Sequence, residues 1–242
     1  MRRRALLVGY AGGGKSGESY LEGVSLDLEN YKEYLMSAKG GAWYDEEIIV
    51  AEGLSKKDLL YVIKEIKNEE NDVTFTVFTG HGDFENKEHF CRSLLINENG
   101  EDILETELHR LSNKEIAIFD CCSQLRYEII NESRQQKAMR IQDSYVDLKL
   151  ARKKYERICE ECPNQRLRFY SAEVGYSAKD SDEGGLYSSI LLRTLRNTRM
   201  YMDIVDAHNE TRDRVIQETH NEQVPSRSTD RVIKYLPGAI IL

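Results

Sequence analysis

Apolar residues in this chain fall into short runs separated by polar segments of helical period, which predicts buried strands alternating with half-buried helices. Arg4 to Gly9, Val73 to Thr79, Glu115 to Phe119 and Leu167 to Ala172 read as strands, with Glu47 to Ala51 as another. Several of these runs are continuous rather than alternating, as in a parallel sheet covered on both faces. Between them, Ser25 is read as the cap of a helix reaching about Ala38, with Tyr31, Tyr34, Leu35 and Ala38 on one face. Ser55 is read as the cap of the next helix, whose buried stripe is Leu59, Ile63 and Ile66. Phe90 to Ile96 and the turn Asn97-Glu98-Asn99-Gly100 suggest a hairpin arm, Asp102 to Leu111 a short helix, and Leu186 to Leu195 and Met202 to Thr219 two longer ones. An irregular arm from Val224 and a terminal strand over Arg231 to Leu236 close the pattern. The order predicts an α/β fold, a mostly parallel sheet between two helical layers.

Composition narrows the class. The chain has 242 residues, 40% hydrophobic and 31% charged, with three prolines and no Gly/Ser-rich tract, which predicts one soluble domain over 1-242 without a flexible linker. A net charge of -8 argues against general nucleic-acid binding. No apolar segment approaches the ~20 residues that span a bilayer. The basic start Met1-Arg2-Arg3-Arg4 leads into an apolar run too short for a signal peptide, so no membrane partner and a cytoplasmic location are expected. Five cysteines without an export signal are expected to be reduced thiols. Cys159-Glu160-Glu161-Cys162 has the spacing of half a zinc site but no second half, so the pair reads as two thiols at a helix end and no metal is expected.

Candidate chemistry gathers where the central strands end. Val73 to Thr79 runs into Gly80-His81-Gly82, and Glu115 to Phe119 runs into Asp120-Cys121-Cys122-Ser123. Sites in open α/β sheets lie beyond the carboxyl ends of the strands, so neighbouring parallel strands bring a histidine to a thiol, a nucleophile with its base. Gly9-Tyr10-Ala11-Gly12-Gly13-Gly14-Lys15-Ser16 fits the phosphate-cradling pattern GxxxxGK[ST], and with Asp120 as a magnesium ligand it defines an alternative, a nucleotide-binding protein using Gly14, Lys15 and Ser16. Against it, a working cradle opens a helix at the lysine, whereas Gly17 and Gly23 interrupt the residues beyond Lys15. Residues 124-165 are densely charged, and Glu173 to Gly185 has the composition of a recognition loop.

Strand, Gly-His-Gly, strand and Asp-x-Cys in this order resemble the caspase-like cysteine peptidases, especially metacaspases. Ala5 to Gly9, Tyr20 to Gly23 and Asp27 resemble that family's opening strand, loop and first helix, and Gly185-Leu186-Tyr187-Ser188-Ser189 its small-subunit helix start. The resemblance implies a three-layer sandwich around about six strands, divided into a large-subunit-like part (1-123), a linker-like insertion (124-165) and a small-subunit-like part (166-242). It implies His81 and Cys122 as the catalytic dyad with no third member required, and Gly82 and Cys122 N–H groups as oxyanion donors. It further implies cleavage of protein or peptide substrates after Arg or Lys, with Asp120 in the pocket and Asp180 and Asp182 adding negative potential. Self-cleavage in 124-165, activation by a partner or small signalling molecule, no cofactor apart from calcium as an activator to test, and a place in microbial stress or antiviral defence complete the implied picture. Ser123-Gln124-Leu125 departs from the residues that usually come after the nucleophile, so substrate preference stays open, and an inactive caspase-like scaffold is the third reading.

Overall fold

The computed structural model describes residues 1–85, 90–122, 147–181 and 183–242. Its centre is a six-stranded sheet with β1 (Arg3–Tyr10), β2 (Ile48–Glu52), β3 (Val73–Gly80), β7 (Lys114–Asp120), β8 (Gln165–Tyr170) and β12 (Ser226–Thr229). Their order is β12-β8-β7-β3-β1-β2; the first five in sequence are parallel, and only β12 runs antiparallel, as an edge. A small antiparallel sheet of β4 (Gly82–Glu85), β5 (Cys91–Leu95) and β6 (Asp102–Leu104) comes after β3. Two short pairs complete the strands: β9 (Asp180–Ser181) with β10 (Gly184–Gly185), and β11 (Met202–Asp203) with β13 (Pro237–Ala239).

Strand alternation divides the core in two. On one face, Ile116 and Ile118 pack with α1 (Val24–Met36), α3 (Leu148–Glu161), α4 (Leu186–Asn197) and α5 (Ile204–Glu218) through Leu28, Tyr31, Tyr155, Ile190 and Val215. On the other, Ala117, Phe119 and Cys121 pack with Leu59, Ile63 and Ile66 of α2 (Lys56–Asn68) and with Leu94 and Ile103 of the small sheet. Ser55 caps α2 as expected, its side chain accepting from the Asp58 N–H, a bond whose loss costs about 1 kcal/mol. The basic start is structural: Arg3 is buried, its guanidinium lying over Trp43 at 4.6 Å and donating to the Gly41 carbonyl at 2.9 Å. Among the described residues no helix is long and apolar enough to cross a membrane.

Three local expectations change. Ser25 lies inside α1, whose N-cap is Gly23, and its hydroxyl donates to Glu52 instead of capping. Asp102 to Leu111 is not a helix; β6 uses its first residues, and a 3-10 turn over Glu105–Leu108 comes next. Arg231 to Leu236 is irregular, with Ile233 fully exposed, and the strand that joins the sheet is the preceding polar segment β12, paired with β8. Within 124–165, α3 occupies the second half and buries Ala151, Tyr155 and Cys159; residues 123–146 lie outside the described residues. Cys159 and Cys162 are free buried thiols at the end of α3, and Cys162 donates to the Tyr235 carbonyl.

Candidate active site

The site is built on the carboxyl ends of β3 and β7. Their register sets Thr79 opposite Asp120, so His81 and Cys122 each come two residues later on the same rim. Alternation then separates the two thiols. Cys121 continues the face of Ala117 and Phe119 and is 2% exposed, whereas Cys122 continues the face of Ile118 and Asp120 and is half-buried. Burial pushes the Cys121 thiol far above its ordinary range, which leaves it an inert apolar group. Gly82 is required by this packing, because a Cβ there would stand 2.8 Å from the Cys121 sulfur.

The histidine is oriented from the Gly-rich stretch. Its Nε2 lies 2.7 Å from the Ser19 carbonyl, and a carbonyl only accepts, so Nε2 carries the proton and a neutral ring keeps its lone pair on Nδ1. The loop that presents Ser19 is closed by the Gly13 N–H to the Glu18 carbonyl at 2.9 Å and by the Leu21 N–H to the Ala11 carbonyl at 2.7 Å. Gly12 sits at φ +86° with room for nothing larger: a Cβ would be 2.2 Å from the Ser19 oxygen and 2.7 Å from His81 Nε2. After Gly14–Ser16, a 3-10 turn, the next helix opens at Val24, so Lys15 heads no helix and the phosphate-cradle geometry is not formed.

The Cys122 sulfur lies 3.7 Å from the Ala178 carbonyl, and no hydrogen bond engages the Cys122 N–H among the described residues. Burial raises its thiol pKa, and Asp120, Asp83 and Asp180 raise it further. Such a thiol is protonated at rest and becomes a nucleophile only by giving its proton to a base.

Behind the thiol lie two buried carboxylates. Asp120, 4% exposed, accepts from Ser188 twice, N–H at 3.0 Å and Oγ at 2.6 Å, while Tyr31 donates to Ser188 Oγ at 3.1 Å. Asp27, 1% exposed, accepts from Thr79 Oγ1 and from the Gly185 N–H, both at 2.9 Å. Burial raises both carboxyl pKa values, and the Asp120 charge raises that of Asp27 further. Neither has a basic partner among the described residues. Gly184 and Gly185 close directly over them: a Cβ on Gly184 would stand 2.1 Å from Asp27, and one on Gly185 2.4 Å from Asp120.

Of the residues the sequence singles out, the structure brings His81, Gly82, Asp120 and Cys122 to one rim, and Asp180 beside it, accepting from the Gly23 N–H at 3.3 Å. Asp182 lies outside the described residues. Sequence reading missed Asp27 as a site residue, although a carboxylate in the first turn of a helix otherwise buried on that face was a usable signal. It also missed the Ser19 and Ala178 carbonyls, which no side-chain pattern announces.

Among curated proteins none matches this sequence. The family model described as the caspase domain matches residues 2–237. The fold is similar to that of caspase-1 from Spodoptera frugiperda, with a TM-score of 0.65 at 13% identity over 96% of this chain and 88% of that one. It is similar as well to protein GSU0716 from Geobacter sulfurreducens, with a TM-score of 0.58 at 14% identity over 95% and 93% of the two chains. A histidine and a cysteine on one sheet rim, in a six-stranded architecture matched from end to end by that model, agree: this chain belongs to the caspase-domain family of cysteine peptidases.

Proposed function

We propose that the protein hydrolyses peptide bonds after Arg or Lys, with Cys122 as nucleophile and His81 as general base and acid. The Cys122 thiol gives its proton to His81 Nδ1 as sulfur attacks the scissile carbonyl carbon, and the Gly82 and Cys122 N–H groups hold the oxyanion. The tetrahedral adduct collapses with breakage of the C–N bond, and the leaving amine takes the proton from His81. Water then yields a proton to His81 and attacks the thioester, releasing the acid and restoring the thiol. The Ser19 carbonyl keeps the ring in the required tautomer throughout.

The observation that carries the specificity is the pair of buried carboxylates without a cation, Asp27 and Asp120. A guanidinium or ammonium drawn toward this pair supplies the missing countercharge, while an acidic side chain meets like charge. Asp180, on β9, adds negative potential to this part of the site, and an added contribution from Asp182 is part of the same proposal. Self-cleavage after Arg or Lys within 124–165 would be a consequence of the same preference. A role in microbial stress or antiviral defence, with an activating partner or signal, rests on the family resemblance.

A fluorogenic peptide panel with Arg, Lys or Asp before the cut, with and without calcium, tests this reading. Turnover of the Arg and Lys peptides alone, abolished in Cys122→Ala, is the expected result; turnover of the Asp peptide, or activity surviving in Cys122→Ala, overturns it. Two fragments from wild type and none from Cys122→Ala would establish self-processing.

A further inference from the structure

The end of α5 reaches back to the active site through one buried amide. Thr219 closes the helix, and His220 and Asn221 then take left-handed backbone at φ 51° and 69°, turning the chain so that Gln223 enters the interior at 0% exposure. Neither residue is a glycine, so the turn costs conformational energy that surrounding contacts must offset. Thr219 Oγ1 accepts from the Gln223 N–H at 3.1 Å, locking the turn to the helix.

Both ends of the Gln223 carboxamide are used. Its Nε2 donates to the Ser171 carbonyl at 2.9 Å, and its Oε1 accepts from the Lys179 N–H at 3.0 Å. Only this orientation satisfies a carbonyl and an N–H together. These are the two ends of the loop that leaves β8 and returns to β9, and the Ala178 carbonyl, against the Cys122 sulfur, lies one residue before the second tie. The first tie is anchored to the nucleophile's own strand, since Ser171 Oγ accepts from the Cys121 N–H at 3.1 Å. Outside the amide, Glu222 pairs with the Lys179 ammonium, and the Lys179 carbonyl accepts from the Leu186 N–H at 2.9 Å at the head of α4.

We infer that Gln223 is a positioning residue for the cleft: by tying Ser171 to Lys179 it holds residues 171–179 as a fixed wall beside Cys122. The inference rests on the proposed peptidase reading for its consequence, substrate binding, but not for the tie itself. Gln223 touches no reacting atom, so its loss displaces the wall and leaves the dyad in place.

The test compares wild type with Gln223→Met, which keeps the side-chain volume and removes both hydrogen bonds, and with Gln223→Ala. Three readouts are taken: KM and kcat on an Arg peptide, alkylation of Cys122 by iodoacetamide, and hydrogen exchange of the Lys179 amide. Expected for both variants are a KM increase of about 10–100-fold with kcat within about threefold, alkylation retained within about threefold, and faster Lys179 exchange. Wild-type KM together with wild-type exchange in Gln223→Met overturns the inference. Loss of alkylation alongside peptide turnover also overturns it, because the residue would then merely support the fold. If wild type cleaves no peptide, the peptidase reading fails separately, and Lys179 exchange in Gln223→Met alone decides the tie.

Discussion

Asp27 and Asp120 are buried neighbours whose charges repel, joined through Thr79: its hydroxyl donates to Asp27, and its register partner across the β3/β7 pair is Asp120. Such an arrangement is unfavourable for the resting fold, and on the proposed reading a substrate cation relieves it. Asp27→Asn keeps an oxygen for the Thr79 and Gly185 donors and removes one charge. Its kcat/KM on an Arg peptide should fall by about 100-fold while its melting temperature holds or rises. A fall in melting temperature with unchanged kcat/KM would assign Asp27 to structure alone.

The two adjacent thiols should behave oppositely. Cys121→Ala removes a buried sulfur that packs against Gly82, at a cost to stability of about 1 kcal/mol and with retained peptide turnover. Cys122→Ala should keep the fold and lose at least about 1000-fold in kcat. Mass spectrometry after brief iodoacetamide treatment should place the label on Cys122, at a rate that climbs with pH through and beyond the usual thiol range, since burial and carboxylates hold its proton on.

Gly12 and Gly13 both have positive φ, 86° and 79°, so an alanine at either carries a backbone cost, and Gly13, at ψ −164°, lies in a region almost confined to glycine. Only at Gly12 would the new methyl meet Ser19 and His81; at Gly13 its nearest neighbour would be Tyr20 at 3.6 Å. Gly12→Ala should therefore lower kcat by about 100-fold or more, and Gly13→Ala by only a few-fold. Equal losses would show that loop strain, rather than the displaced imidazole, limits turnover.

Stability should carry a signature of Glu115, which is buried with its pKa raised from 4.5 to about 7 by loss of solvation. Between those pH values the folded state holds a proton that the unfolded state releases, so this group's contribution falls as pH rises. His109 and His208, depressed to about 4 and about 3 by burial, act in the opposite sense, favouring the folded state as pH rises through the ordinary histidine range. Glu115→Gln isolates the first effect, because it can still accept from the Arg110 N–H. Denaturant titrations should show wild type losing about 3 kcal/mol relative to the variant from pH 4.5 to 7. Parallel curves for the two proteins would mean that Glu115 ionises normally.

The sequence was most readable where burial is continuous. The apolar runs ending at Thr79 and Phe119 located both central strands and, through them, His81 and Cys122. It was least readable at the periphery: β12 is short, polar and held by one neighbour, so no pattern separates it from loop, whereas the more apolar Arg231 to Leu236 pairs with nothing in the sheet. Within the site, side-chain identity singled out His81, Cys122 and Asp120, which the structure brings to one rim. Asp27 was obscured by its place in an ordinary helical turn, and Gln223 acts across a sequence separation of 52 residues that no local pattern spans.

Because a main-chain oxygen orients the imidazole, the identity of residue 19 is nearly free. Saturation mutagenesis should tolerate most side chains there and few at residue 12, although residue 19 supplies the bond and residue 12 makes none to the ring. Mutational tolerance in this enzyme would thus map the backbone path that delivers an atom rather than the atom's owner.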